Sequence, residues 1–502
     1  MTDINLIIST LTIEEQQQFV TYLKKKNKRN DIKNIQLFKL LQQNELSSSE
    51  ICLAIYKANK KNAYHALRKR LYQSLIDFIA NINLEEENSV DMQVIKYILA
   101  SRSFLHNQQY KLAYKILDKA EALAEAHYLF SILNEIYHTK IQYAYANPET
   151  EINTLIETFK VNQKNLFIED QLNIVYAKMR QTLHNITYKG DIIDIETLLK
   201  TTLQDHHISV TESMSFKSLY QLITLVTIPA FVTNDYLKTE PFIIETYSIL
   251  KTHKSQSKQL YYHIQVLFLI ANTLFRNKKF KESLNYLEQM KTQMLLNRKK
   301  HYTTFKLKHQ FLLALNANYS NQQKTAIEIL EKHINTRHED LDSLLKIHLS
   351  LIMFYIQAKR YKDAHGIFSK FYHTDNYYES KAGKEWVIKK NLIEIILHIE
   401  LNNINLVESR LLSFKRNYFS YLKQIKQQRA ITYLSFIEGY YKDPTYIQTV
   451  EFKNKVQGSF EWVGKEREDI FVMSFYAWLK SKMENKPLYE TTLELVQLAR
   501  EN

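Results

Sequence analysis

The chain of 502 residues contains a single cysteine, Cys52, which excludes an intramolecular disulfide and a thiolate metal cluster. Glycine and proline are also scarce, with 6 Gly and 5 Pro. Tight turns, Gly-rich phosphate loops and Rossmann-type crossovers depend on such residues, so few positions are expected to take a positive φ. The sequence therefore predicts long α-helices joined by short polar turns, in a reducing compartment such as the cytoplasm.

Motifs of catalysis are missing as well. The few glycines are isolated, so no dinucleotide fingerprint, Walker loop, nucleophile elbow or kinase set can be placed. The adjacent residues His206 and His207 would point about 100° apart on a helix and could not grip one metal ion. No enzymatic activity, cofactor or metal ion is therefore expected.

Long hydrophobic runs are scarce. The first residues lack a basic segment and a small-residue cleavage site, so no secretory signal is expected. The most apolar stretch, Leu219 to Val232, contains Gln221 and Pro229 and is shorter than the roughly 20 residues that span a bilayer. It is predicted to be a buried helix, and no membrane span is predicted.

A recurring pattern is present instead. An apolar residue, usually aromatic, is followed three positions later by a small or apolar residue, roughly every 38 to 44 residues, as in arrays of stacked helix pairs. The clearest copies are Tyr110/Ala113, Phe280/Ser283 and Tyr361/Ala364. Weaker copies lie at Ile152, Ile192, Tyr236, Gln323/Ala326, Ile404/Val407, Tyr446 and Tyr489. The prediction is an all-α fold, a solenoid of helix-turn-helix repeats.

These residues resemble the tetratricopeptide-repeat family, in which an aromatic residue opens the second helix and a small residue three positions later lets the two helices approach. Tyr110, Ala113 and Ala120 fit that motif, and Tyr361 with Ala364 fits next best. The resemblance extends over about residues 92 to 500 and implies a right-handed α-solenoid. The glycine of the family's first helix is replaced by Ser101, Ala271, Ala314 and Ile352. The spacing of the pattern in this chain exceeds the 34 residues of the family's repeat. In this respect the chain is similar to the extended repeats of some bacterial regulators and scaffolds.

Residues 1 to 84 differ from the array, with 13 Lys or Arg against 7 Asp or Glu. Capping signals at Thr12 and Ser47 open predicted helices, and a short helix, a turn and a longer basic helix then follow. This order resembles the helix-turn-helix of winged-helix regulators. The candidate nucleic-acid contacts are Lys60, Lys61, His65, Arg68 and Lys69. The alternative is a bundle that caps the solenoid. An acidic linker is predicted at 85–91, followed by the solenoid at 92–502.

A partner-binding surface is predicted on the first helices, which line the concave face in tetratricopeptide-like arrays. The side chains expected to point into it are Arg102, His106, Asn272, Arg276, Lys308, Asn318, Lys346 and Lys389. Most of them are Lys or Arg, and the whole chain has a net charge of +14. An acidic peptide or a C-terminal carboxylate is therefore the expected ligand. The alternative is that a lysine-rich composition places Lys on every polar face. Tyr377, Tyr378 and Trp386, beside a predicted loop from His373 to Gly383, are either a contact site or ordinary packing.

Two functions follow from these observations. The first is a cytoplasmic, non-enzymatic scaffold or adaptor that binds a protein or peptide along the solenoid. The alternative is a nucleic-acid-binding regulator in which the solenoid senses a partner, an arrangement similar to that of peptide-sensing bacterial regulators.

Overall fold

The computed structural model describes residues 3–11, 13–26, 32–43, 46–86, 90–147, 149, 151–206, 214–233, 235–252, 259–336, 338, 340–425, 427–459 and 469–500. Within these ranges the regular structure is helical and no β-strand occurs, which confirms the all-α prediction. The chain divides into two compact units. The first comprises Met1–Ala124 with His138–Thr150, and the second comprises Glu125–Tyr137 with Glu151–Asn502.

The helices are numbered in chain order. Up to residue 205 they are α1 (Asp3–Thr10), α2 (Ile13–Lys26), α3 (Ile32–Gln43), α4 (Ser48–Tyr56), α5 (Lys61–Glu86), α6 (Val90–His106), α7 (Tyr110–Ala126), α8 (Phe130–Gln142), α9 (Ile152–His184) and α10 (Ile195–Asp205). From residue 216 they are α11 (Phe216–Thr233), α12 (Glu240–Thr252), α13 (Leu260–Arg276), α14 (Phe280–Met294), α15 (Tyr302–Tyr319), α16 (Gln323–Glu331), α17 (Leu341–Gln357), α18 (Tyr361–Phe368), α19 (Asp375–Ala382), α20 (Lys384–Glu400), α21 (Ile404–Gln424), α22 (Gln428–Lys442), α23 (Val450–Ser459), α24 (Ile470–Glu484) and α25 (Leu488–Leu498). Short 3₁₀ turns lie at Ala144–Ala146, Asn297–Lys299 and Tyr446–Gln448, and a π-helical turn at Asn185–Lys189 follows α9.

Helices α1 to α5 pack around an apolar core of their own and are called here the N-terminal bundle. Phe19 of α2 lies near its centre, with its ring centroid 4.9 Å from that of Phe38 in α3 and 5.0 Å from that of Phe78 in α5. All three side chains are buried. Aromatic pairs in such tilted arrangements add to the stabilisation that burial supplies.

The two predicted capping signals have different outcomes. At the start of α4 the Ser47 hydroxyl accepts a hydrogen bond from the Glu50 N–H, and the Glu50 carboxylate accepts one from the Ser47 N–H at 2.7 Å. This reciprocal capping box satisfies two N–H groups that the helix itself leaves without a partner, as predicted. The other signal rests on Thr12, which lies outside the described residues, although the helix that it was expected to open is present as α2.

In the second unit, consecutive helices pack as pairs. The pairs are α13/α14, α15/α16, α17/α18, α20/α21 and α24/α25. The leading members α13, α15, α17 and α20, called first helices here, also contact one another in succession. The second helices α14, α16, α18 and α21 begin at the predicted marker residues Phe280, Gln323, Tyr361 and Ile404. The phase of the repeat is therefore confirmed over these pairs, which are consistent with a helical-repeat solenoid.

The turn inside each pair shows why so little glycine suffices. Lys359, between α17 and α18, has a φ of 59°. Its N–H donates to the Ile356 carbonyl, and the Arg360 N–H donates to the Tyr355 carbonyl at 2.8 Å, which is a Schellman motif. Arg360 also lies over the Tyr355 ring, with its guanidinium carbon 4.4 Å from the ring centroid.

The same left-handed position recurs two residues before the second helix of several pairs. It is occupied by Gln108, Lys278, Asn321, Lys359 and Asn402. Positions with a positive φ are few among the described residues, as expected, but most of them are held by residues other than glycine. Lys, Gln and Asn hold the conformation that glycine usually supplies, at a cost of about 1 kcal/mol each for a residue with a Cβ, and less for Asn.

Small residues lie where the two helices of a pair cross. Ser283, at the predicted small-residue position of α14, is fully buried, and its hydroxyl donates to the Ala271 carbonyl at 2.7 Å. Ala271 stands where the tetratricopeptide family has its glycine, and it is fully buried as well. Ala364 of α18 is also fully buried. These side chains occupy the interhelical contact that the repeat pattern predicted.

The segment from His373 to Gly383 was expected to be a loop, and this was wrong. It contains α19, which begins after Thr374, whose side chain accepts a hydrogen bond from the Tyr377 N–H. Tyr378 is buried and its ring centroid lies 5.6 Å from that of Trp386. The helix forms because it buries this aromatic side chain, so Tyr378 and Trp386 are packing residues.

Helix α11 is the most apolar helix. Among the described residues it is the one helix whose length and composition would allow it to cross a membrane, and 67% of its residues are buried within the protein. Leu219, Ile223 and Leu225 are fully buried. Such burial on several sides is typical of a core helix. The prediction of a buried helix here is confirmed.

Candidate partner-binding surface

The predicted partner-binding residues fall in both units. Arg102 and His106 lie exposed on α6, in the first unit. The other six lie on α13, α15, α17 and α20, in the second unit.

Three lysines occupy equivalent positions in three successive pairs. Lys308, Lys346 and Lys389 each lie at the same distance before the start of the following second helix, and they are called the lysine row here. Each is half-buried on its first helix. Equivalent positions of stacked repeats lie side by side, so the row is expected to form one surface feature.

The lysine row shares a helix face with residues nearer the end of each first helix. Tyr319, Gln357 and Glu400 follow the three lysines by about three helical turns, which returns the chain to within about 20° of the same direction. Arg276 holds the matching position on α13. Together these residues define the first-helix face of the second unit.

Helix α24, the last helix but one, lies against this first-helix face. Asp469, which caps its N-terminus, forms an ion pair with Arg276. The Tyr319 and Ser474 hydroxyl oxygens are 2.9 Å apart. The next helix, α25, contributes Tyr489, whose hydroxyl donates to the Asn318 carbonyl at 2.7 Å. The pair α24/α25, called the C-terminal hairpin here, therefore contacts both α13 and α15.

The far end of α24 reaches α20. The Glu400 carboxylate accepts a hydrogen bond from the Trp478 indole N–H at 2.6 Å, and it lies 2.7 Å from the Lys482 ammonium. Trp478 is almost completely buried and packs edge to face on Tyr440 of α22. Helix α24 thus crosses the C-terminal ends of α13, α15, α20 and α22.

The Arg276–Asp469 pair is held in its charged form. Burial by itself raises the pKa of the Asp469 carboxyl, but the nearby Arg276 and Lys389 cations and the N–H groups of Val472 and Phe471 outweigh it, so the pKa lies below its ordinary value. Burial also disfavours the charged Arg276 guanidinium, and Asp469 outweighs that effect. The Asp469 side chain is only 4% exposed, so neither charge can be left without the other at low cost.

Three of the remaining predicted residues have partners within the chain. Asn318 is buried and its amide donates to Gln357 at 3.1 Å. Lys346 pairs with Asp342 at 2.6 Å, and Lys389 pairs with Glu385 at 2.5 Å, each one turn earlier on its own helix. Lys389 also lies over the Phe471 ring, 5.0 Å from its centroid. Asn272 is half-buried on α13.

Sequence reasoning missed the residues that fill the C-terminal part of this face. Asp469, Ser474 and Trp478 carry no local signal that ties them to positions so much earlier in the chain. Asp469 could have been recognised as a helix cap, since its carboxylate accepts hydrogen bonds from the Phe471 and Val472 N–H groups. Its second role, pairing with Arg276, could not.

The N-terminal bundle places the predicted nucleic-acid contacts at the start of α5. Lys60, Lys61, His65 and Lys69 are exposed. Arg68 is half-buried, with its guanidinium carbon 5.8 Å from the Tyr64 ring centroid.

The geometry of this bundle matches part of the helix-turn-helix prediction. Helices α3, α4 and α5 contact one another, and α4 ends at Lys57 in the left-handed conformation. The Tyr56 hydroxyl donates to the Ala63 carbonyl at 3.1 Å, which fixes the turn between α4 and α5. Instead of strands that could form a wing, α5 continues as helix through Glu86, and the next described residue, Val90, opens α6.

No protein-family model matches the chain, and neither a curated protein nor a solved structure shows significant similarity to it. Among the described residues, no group of three or more His, Cys, Asp or Glu side chains is arranged to hold a metal ion. The fold defines the class: an all-α protein of consecutive packed helix pairs.

Proposed function

We propose that the protein is a non-enzymatic, cytoplasmic scaffold or adaptor. Its helix pairs form a right-handed, tetratricopeptide-like solenoid, and an acidic protein or peptide binds at the lysine row. The observation that carries the proposal is the repetition of Lys308, Lys346 and Lys389 at one position of three successive first helices. Cations repeated along one face are suited to an extended or helical segment with several carboxylates.

The chain's own C-terminal hairpin supports this choice of ligand. Its first helix, α24, has an acidic N-terminal cap. The hairpin binds the first-helix face through an Arg–Asp pair and a set of hydroxyl and indole hydrogen bonds. Because Asp469 and Glu400 already engage Arg276 and Lys482, the C-terminal part of the face is occupied. Lys389 also lies against Phe471 of the hairpin, so the partner is assigned to the part of the face that carries Lys308 and Lys346.

The lysines of this row could exchange partners at low cost. The pairs Lys346–Asp342 and Lys389–Glu385 join residues one turn apart, and the Lys346 and Asp342 side chains are 41% and 33% exposed. Exposed pairs of this kind contribute only about 0.3–0.5 kcal/mol each. A partner with several carboxylates would gain more from the row than these pairs lose.

Affinity purification from the native cell tests the proposal. Wild type is compared with the double variant K308E/K346E by quantitative mass spectrometry, with K281E/K324E as the matched control. Lys281 and Lys324 are exposed on the second helices α14 and α16. A partner that is lost with K308E/K346E and kept with the control supports the assignment. Partners that are retained equally by all three proteins contradict it. Arg276 is left unchanged because its pairing with Asp469 is structural.

A nucleic-acid-binding regulator is the second candidate. The observation that favours it is the short α4, the fixed turn and the long α5, whose first turns expose Lys60, Lys61, His65 and Lys69. In helix-turn-helix proteins the second helix enters the major groove with its N-terminal residues on the bases.

A salt-dependent mobility shift with duplex DNA tests this candidate. Binding through phosphates should weaken steeply as the salt concentration rises. For each phosphate contact, the association constant should fall by about 0.9 logarithmic units for every tenfold increase in salt concentration. The variant K60E/K61E/K69E should abolish it, whereas K115E/K119E on α7 of the same unit should not. Equal binding by the two variants would exclude α5 as the contact.

A further inference from the structure

A polar cavity of about 460 Å³ lies in the second unit, apart from the lysine row. It is bounded by α18, α20 and α21 and by the segment that leads into α19. Cavities that bind small molecules in proteins have volumes of this order. This one lies where the inserted α19 interrupts the regular succession of helix pairs.

One face of α20 supplies a row of ionisable groups to the cavity. Lys390, Glu394 and His398 are spaced four residues apart, so they lie on one side of the helix, and all three line the cavity. Each residue is less than 9% exposed. Their neighbours Ile393 and Ile395 are fully buried apolar residues. Burying ionisable groups costs free energy unless they are paired, so the residues of this row need partners at the cavity.

The carboxylates at the cavity are already engaged. Asp375 accepts hydrogen bonds from Lys390 at 2.7 Å, from Asn391 at 2.9 Å and from the Tyr418 hydroxyl at 2.8 Å. Glu394 accepts one from the Arg410 Nε at 2.8 Å. Burial raises the pKa of the Glu394 carboxyl above its ordinary value. The acceptor capacity of the lining is therefore largely used within the protein.

Donor capacity remains. Arg410 uses its Nε for Glu394, and its two terminal amino groups have no partner among the described residues. The Ser413 hydroxyl and the His365 ring also line the cavity. His365 lies on α18, with its ring centroid 6.2 Å from that of His398. The groups left over are of the donor type, and they converge from two helices, α18 and α21.

We propose that this cavity binds a small organic oxyanion, a carboxylate or a phosphate ester with an apolar portion. Arg410 holds the oxyanion through its terminal amino groups, with Ser413 and His365 as further donors. Phe368 and Phe371, which line the same cavity, contact the apolar portion. The site shares only α20 with the lysine row, and no lysine of the row lines the cavity. Its ligand also differs, so this proposal is independent of the proposed scaffold function.

Calorimetric titration of the full chain with phenyl phosphate, phenylacetate and benzyl alcohol tests this site. At least one of the two anions should bind with a dissociation constant of about 1 mM or tighter, and neutral benzyl alcohol should bind at least about tenfold more weakly. Binding of phenyl phosphate alone assigns the ligand to phosphate esters. Binding of phenylacetate alone assigns it to carboxylic acids.

Two variants locate the binding. R410Q should weaken it at least about tenfold through loss of the charge-assisted hydrogen bonds, whereas R416Q, at an exposed position of the same helix, should leave it unchanged. S413F, which fills the cavity, should also abolish binding, and circular dichroism checks that each variant folds. The proposal is overturned if wild type binds neither anion, or if folded R410Q and folded S413F bind as wild type does.

Discussion

Arg276 and Asp469 lie 193 positions apart in the chain, and their side chains form an ion pair on the first-helix face. The pair joins the C-terminal end of α13 to the N-terminus of α24. It fixes the C-terminal hairpin to helices that precede it by almost two hundred residues, so the helix pairs of the second unit do not contact only their neighbours in sequence.

The buried pair predicts a non-additive pattern of stability. D469N should lower the free energy of unfolding by about 3 kcal/mol, because it leaves the Arg276 charge without its partner. R276M should do the same to Asp469. The double variant R276M/D469L removes both charges and should lose much less than the two single variants together. Denaturant unfolding of the four proteins measures the cycle, and additive losses would mean that the two side chains do not interact.

The left-handed corners predict that glycine stabilises the protein. Lys359 is exposed with a φ of 59°, so K359G should raise the free energy of unfolding by about 1 kcal/mol. N402G should raise it by less, because Asn already tolerates this conformation. K362G, inside α18, is the control and should destabilise by about 1 kcal/mol. Thermal unfolding gives the comparison, and a loss of stability in K359G would contradict the assigned corner.

Buried histidines predict a loss of stability in acid. Burial lowers the pKa of His263 to about 4, and the side chain is only 4% exposed. The unfolded chain takes up this proton near pH 6.5, whereas the folded protein resists it, so stability falls as the pH drops from about 6.5 to about 4. The loss from this one group is about 3 kcal/mol.

Replacing His263 removes its share of the acid effect. Between pH 6.5 and 4, H263N should reduce the slope of the unfolding free energy against pH. The reduction should correspond to the uptake of about one proton on unfolding. The remaining slope comes from other buried histidines such as His309 and His348, whose pKa values burial also lowers. Denaturant unfolding at several pH values measures the slope. An unchanged slope in H263N would show that His263 does not titrate abnormally.

The repeat phase could be predicted from sequence because its signals are local. Phe280, Tyr361 and Ile404 each follow a polar turn and open an amphipathic helix, and both features fall within one short window. The capping box of Ser47 and Glu50 is equally local. Such elements depend on neighbouring residues and were correctly placed.

Other features depend on contacts or conformations that the residue type conceals. The corners at Lys359 and Asn402 were missed because these residue types do not require a positive φ. Helix α19 was missed because Tyr378 becomes apolar packing only when Trp386 lies against it. The Arg276–Asp469 pair needs the folded arrangement of α13 and α24, which are distant in the chain, and no periodicity in the sequence specifies it.

Site-specific photo-cross-linking in the native cell tests the central claim most directly. A photoreactive phenylalanine derivative replaces Lys308 or Lys346 in the lysine row, or Lys281 or Lys324 on the second helices. Positions 308 and 346 are expected to capture the same acidic protein or peptide, and positions 281 and 324 are not. Capture of that partner equally from all four positions, or from the second helices alone, would contradict a binding surface at the lysine row.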